Sequence, residues 1–176
     1  MESLSNFYSS LMFHLVDSGI ENYESIAGYS EEEIQAVEVQ IGMRFPEAYR
    51  LFEVKFGKRA NFYDSNEYQL AYLPDALEVM EEIAVTTAID FRSLFPFSQW
   101  QGYSVFCFSR EGNNPEVILF VAGDEGVEQY RYSCFTDWLL EQINTHLKYL
   151  QNKKSGNYRV RQLEKFIVDS KGIFIS

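Results

Sequence analysis

The sequence predicts an α+β fold, and three observations carry that expectation. Apolar residues recur at helical spacing through the first half of the chain. Short apolar runs separated by turn chemistry fill the middle, and a long amphipathic stretch follows them. The length of 176 residues suits one domain, and a hydrophobic fraction of 46% with 16% aromatics supplies a sizeable core.

Leu4, Phe7, Leu11 and Leu15 define the first helix, and Gly19 stops it. Ser30 opens a capping box with Glu33, and Glu31, Glu32 and Glu33 sit where the helix dipole favours carboxylates. Ile34, Val37 and Ile41 form the buried stripe of this second helix, with Gly42 placed as its C-cap. Pro46 suits the first turn of a third helix, because its fixed φ is helical and its missing N–H is not needed there. Phe45, Tyr49, Phe52 and Phe56 give that helix an aromatic ridge, and Gly57 ends it. Only Met43, Arg44 and Phe45 separate the two helices, so they must meet as a compact corner.

Residues 68–73 read as a strand. Pro74 and Asp75 then start a helix with Ala76, Val79, Met80 and Ile83 inward and Glu78, Glu81 and Glu82 outward. Further strands are expected at 95–97, 103–109, 116–122 and 128–132. Val105 and Cys107 share one face, and the nearly all-apolar third run suits a strand buried on both faces. Glu111-Gly112-Asn113-Asn114-Pro115 and Gly123-Asp124-Glu125-Gly126 are turn sequences between them. Phe135, Trp138, Leu139, Ile143 and Leu147 line one face of a helix over 135–150. Residues 151–157 read as a linker. The expected organisation is one domain over 1–150 and a basic extension over 151–176, helix-like from Val160 to Val168, whose apolar residues need cover; docking on the same domain is the favoured reading, with contact to another chain as the alternative.

The net charge is −11, and it is unevenly spread. Residues 1–90 hold 17 Asp and Glu against 5 Lys and Arg, whereas residues 151–176 hold 2 against 6. An acidic body argues against direct binding of nucleic acid and for a basic protein partner. No basic segment precedes an apolar one at the N-terminus, and no apolar run reaches the length of a transmembrane helix. A cytoplasmic protein with no membrane contact is expected.

Catalytic patterns are missing from the sequence. His14 and His146 lie in predicted helices without a metal-ligand or His–carboxylate spacing. No nucleophile elbow or glycine-rich phosphate loop occurs. Cys107 and Cys134 form no CxxC and read as buried structural thiols. Adjacent carboxylates such as Glu81-Glu82 read as solvated pairs. No enzyme activity, cofactor or metal is expected.

The stretch Ser30 to Ile34, then Glu38, Ile41-Gly42, Phe45-Pro46, Ala48-Tyr49 and Leu51-Phe52, resembles the hallmark of the SUKH superfamily, which joins fungal cell-wall-assembly regulators to bacterial toxin-immunity proteins. Leu94-Phe95-Pro96-Phe97, Gly102, the run Val105 to Phe108, Pro115-Glu116-Val117 and Phe135 to Leu140 resemble its later blocks. The resemblance spans about residues 25–145. Two places depart from the pattern. Phe56-Gly57-Lys58-Arg59 stands where Asn-Gly-Gly is common, and Tyr103 stands where an Asp often follows the glycine, so no small-molecule site is carried over.

The resemblance implies a mainly antiparallel sheet of about six strands with helices packed on it. It also implies an immunity protein that binds and occludes a protein toxin, a basic nuclease being the physically sensible target. A regulatory scaffold without a toxin and an acidic nucleic-acid mimic are the alternatives. Glu38, Gly42, Pro46, Tyr49, Pro96 and Gly102 match the family pattern and are expected to be structural. Partner contacts are expected at Tyr63, Asp64, Glu67 and Tyr68, after the third helix, and at Trp100 and Tyr103, since Trp and Tyr dominate interface hot spots. A monomer or weak homodimer is expected.

Overall fold

Ser3 accepts a hydrogen bond from the Asn6 N–H and starts α1 (Leu4–Asp17), which buries Leu4, Phe7, Tyr8, Leu11 and Leu15. Ser30 and Glu33 close a reciprocal capping box at the head of α2 (Glu31–Ile41), satisfying two backbone donors that a first turn leaves open. Gly42 ends α2 at φ 67°, a left-handed value that glycine adopts at little cost. α3 (Glu47–Phe56) follows Pro46, and α4 (Leu73–Thr86) precedes the sheet. This architecture comes from a computed structural model in which residues 3–63, 70, 73–86, 91–123, 126–153 and 159–173 are described.

The sheet is an antiparallel meander of β1 (Leu94–Trp100), β2 (Ser104–Ser109), β3 (Val117–Gly123) and β4 (Gly126–Tyr132), in that spatial order. Among the described residues it has four strands, which corrects the expectation of about six. Of the stretch 68–73, read from sequence as a strand, only Leu70 and Leu73 are described, and Leu70 is buried outside any strand. Its last member, Leu73, is instead buried as the first residue of α4. The short strand expected at 95–97 is longer, running from Leu94 to Trp100. Pro96 has no N–H for the ladder, and the register slips between Pro96 and Ser98 while pairing resumes on both sides. Trp100 therefore ends a strand, opposite Ser104, rather than lying in the connection.

Alternation along the strands sends side chains to two different cores. Phe95, Phe97, Phe108 and Val117 face α1, α3 and α5 (Phe135–Lys153) in a large aromatic cluster. Leu94, Val105, Cys107, Ile118 and Phe120 face the other way, against Val79 and Ile83 of α4 and Phe91. The sheet is thus covered on both faces, by most of the helices on one side and by α4 on the other. Tyr49 sits at the centre of the larger core, with ring centroids 4.9 Å from Phe45, 5.1 Å from Phe108 and 5.6 Å from Phe97 and Phe135.

α5 extends to Lys153, so its last turn occupies the start of the expected linker. α6 (Arg161–Ser170) buries Leu163 and Ile167. Its Phe166 ring lies 5.8 Å from Phe7 and 4.8 Å from His14, both on α1. The Arg159 N–H donates to the Ser18 carbonyl at 2.9 Å, and Lys171 pairs with Glu141 of α5 at 2.7 Å. The basic extension thereby packs on α1 and α5 of the acidic body. No helix among the described residues is long and apolar enough to cross a membrane.

Candidate functional site

The corner between α2 and α3 is tied by Glu38. Its Oε1 accepts from the Phe45 N–H at 2.8 Å and from Arg50 Nε at 3.3 Å, so one carboxylate fixes both the connection and the next helix. Arg50 also pairs with Glu31, and Lys58 pairs with Glu33 at 2.7 Å. Lys58 first, and then the Ser30 N–H, hold the Glu33 carboxyl below the usual range. Among the other residues of the family pattern, Pro46 stands just before α3 with an extended ψ of 145° rather than within its first turn, and Tyr49 is wholly buried. Pro96 marks the slip in β1, and Gly102 has φ 74° in the turn from β1 to β2.

Below the corner lies a group that sequence periodicity did not single out. Glu53 is completely buried, and neither carboxyl oxygen has a hydrogen-bond partner of good geometry; the Tyr49 hydroxyl, one turn earlier on α3, is also without one. Burial pushes the Glu53 carboxyl up to about 8, opposed only by the nearby Tyr49 phenol. Its backbone carbonyl accepts from the Tyr29 N–H at 2.9 Å. Gly28 is pressed against the same helix, where a Cβ would come within 1.7 Å of the Val54 carbonyl oxygen. No side chain fits there, and at Gly57, one turn on, an added Cβ would collide with the Glu53 Oε2 itself.

Of the partner-contact residues read from sequence, Tyr63, Trp100 and Tyr103 are described. Asp64, Glu67 and Tyr68 lie outside the described residues. Tyr63 is half-buried, its ring against Phe52 and Phe62 and its hydroxyl donating to the Phe56 carbonyl, which is an interior packing arrangement. Trp100 and Tyr103 do come together, edge to face at 5.3 Å, and Trp100 remains 43% exposed. The turn between them is held by Gln99 Oε1, which accepts from the Gly102 N–H at 3.0 Å.

α4 presents a different kind of surface. Asp75, Glu78, Glu81 and Glu82 are exposed on it, the helix carries no Lys or Arg, and Val85 at its end is 88% exposed. Asp75, Glu78 and Glu81 form no ion pair with any described residue. The outward position of these glutamates was legible from periodicity. That Glu78 and Glu81 meet no counter-charge among the described residues was not, because that depends on what the fold brings near.

Burial raises the thiols of both Cys107 and Cys134, which keeps them in the less reactive protonated form. No cluster of three or more metal-ligating side chains occurs among the described residues. His14 packs between Phe13 and Phe166 on the α1–α6 contact, and burial lowers His146 on α5. Comparison with known proteins finds a family model, described as SMI1 / KNR4 family (SUKH-1), that matches residues 28–141. No curated protein and no solved structure matches the chain.

Proposed function

The chain belongs to the SMI1 / KNR4 family (SUKH-1), and from that premise we propose that it is an immunity protein that binds a basic protein toxin and occludes it, acting by binding rather than catalysis. The observation that carries this reading is the open acidic face of α4. Carboxylates that have no internal counter-ion keep their full field for a partner, whereas paired ones are largely neutralised. A nuclease is the favoured class of toxin, because a protein that binds a polyanion presents a basic surface, and α4 can offer carboxylates where phosphates go. The same charge opposes direct binding of nucleic acid. Long-range attraction also speeds association, which suits an antidote that must reach its target before damage begins.

The exposed Trp100, at the end of β1 and edge to face with the half-buried Tyr103 of the following turn, supplies a candidate apolar anchor beside the strand that α4 covers. The test is co-expression with a basic nuclease toxin encoded beside it. Growth should be rescued by the wild-type chain and lost with Asp75→Lys/Glu78→Lys/Glu81→Lys. If the wild-type chain gives no rescue and forms no complex with that toxin, the reading is wrong.

A further inference from the structure

On the opposite side of the sheet from α4, the α2–α3 corner and the β2–β3 turn enclose a groove of about 520 Å³. Its charge is opposite in character to the rest of the molecule. Arg44, Arg50 and Arg110 line it against Glu31 and Glu47, one excess positive charge in a chain of net −11. Arg50 is already committed to Glu31 and Glu38. Arg44 is exposed and makes no hydrogen bond or ion pair with a described residue. Arg110 is pre-positioned: its Nε donates to the Leu94 carbonyl at 3.0 Å, and its guanidinium lies 6.0 Å from the Phe95 ring. That leaves its two terminal nitrogens to present donors into the groove.

A second hollow, of about 580 Å³, adjoins the first and shares Arg44 and Arg50 with it. Val39 and Met43 line this second hollow, and Val39 is 75% exposed. The two hollows form one track, with Arg110 in the first, the exposed Val39 and half-buried Met43 in the second, and Arg44 shared between them. Glu38 lines the second hollow, so the track as a whole is neutral; Arg50 is held by Glu31 and Glu38, and Arg44 and Arg110, which no described carboxylate pairs, match a single carboxylate. A run of phosphates would meet Glu31, Glu47 and the acidic body beyond them.

We propose that this track binds an extended peptide segment of a protein partner, with one acidic side chain held by Arg44 and Arg110 and a neighbouring apolar side chain laid over Val39 and Met43. This binding is separate from the toxin-neutralising reading, and either can fail alone. The geometry suits Arg, whose planar fork meets a carboxylate through two parallel bonds.

The experiment is an NMR titration of the isotope-labelled full chain with a capped hexapeptide carrying one glutamate flanked by leucines. Shifts are expected at Arg44 and Arg110 side-chain N–H groups and at the Val39 and Met43 amides. Replacing the peptide's glutamate by glutamine, which leaves the protein untouched, should weaken binding about tenfold or more, and Arg44→Ala should do the same. Inorganic phosphate at equal concentration should not displace the peptide. The proposal is overturned if the peptide does not bind or shifts another surface, if the glutamine peptide binds equally well, or if phosphate competes on equal terms.

Discussion

α2 and α4 are both strongly acidic helices, yet they use their carboxylates in opposite ways. On α2, Glu33 closes the capping box and pairs with Lys58, Glu31 pairs with Arg50, and Glu38 holds both Arg50 and the Phe45 N–H. On α4, Asp75, Glu78 and Glu81 point to water with no described counter-charge. The α2 carboxylates are therefore structural, and the α4 carboxylates are available. Charge along the chain is a poor guide to partner binding until it is known which charges the fold has already neutralised.

The largest effect that sharpens this contrast belongs to Glu53, beneath the α2–α3 corner. Its folded value of about 8 lies above the ordinary 4.5. The folded chain keeps a proton that the unfolded chain loses, so stability should fall as pH rises from about 4.5 to about 8, by up to about 1.4 kcal/mol per unit. Below that window both states are protonated and the penalty disappears. Above it both are ionised and the penalty levels off. Glu53→Leu should raise the denaturation midpoint at pH 8 and flatten the pH profile, while an α4 change such as Glu78→Gln should leave the slope intact. Urea titrations across pH 5–9 check both.

Glu38→Ala should come next. It removes two hydrogen bonds at a half-buried site, one of them to a guanidinium, at a cost of about 2–3 kcal/mol by chemical denaturation. Ser30→Ala opens the capping box and should cost about 1 kcal/mol. Smallest is Glu81→Ala on α4, expected within about 0.5 kcal/mol of wild type because the side chain is exposed and unpaired. If Glu81→Ala destabilised the chain as much as Glu38→Ala, the distinction between structural and available carboxylates would collapse.

How much of this was legible from the residues differs between fold and site. Stop and start signals placed the helices well, since Gly42, Pro46 and the capping box act locally. The strand inventory was harder. Pro96 interrupts a run that tertiary pairing carries through, and Leu73 reads equally as the end of a strand or the start of a helix. Glu53 follows Tyr49 by four residues and so shares the inward face of α3. A glutamate there is ordinarily taken as outward, and only the tertiary packing around α3 buries it. The ion pairs of α2 span 12 to 25 residues, beyond any local pattern. The same distance effect hid the openness of α4 and the gathering of Arg44 and Arg110 around one groove.

The most direct measurement of the central claim is the association rate with the cognate basic toxin at low and high salt. Two variants are compared with wild type, Asp75→Lys/Glu78→Lys/Glu81→Lys on α4 and Glu31→Gln/Glu33→Gln on α2. The α4 variant should associate about tenfold or more slowly at low salt and lose most of the salt dependence, while the α2 variant should keep a near wild-type rate. An α4 variant that binds at the wild-type rate, or an α2 variant that loses as much, would contradict the account.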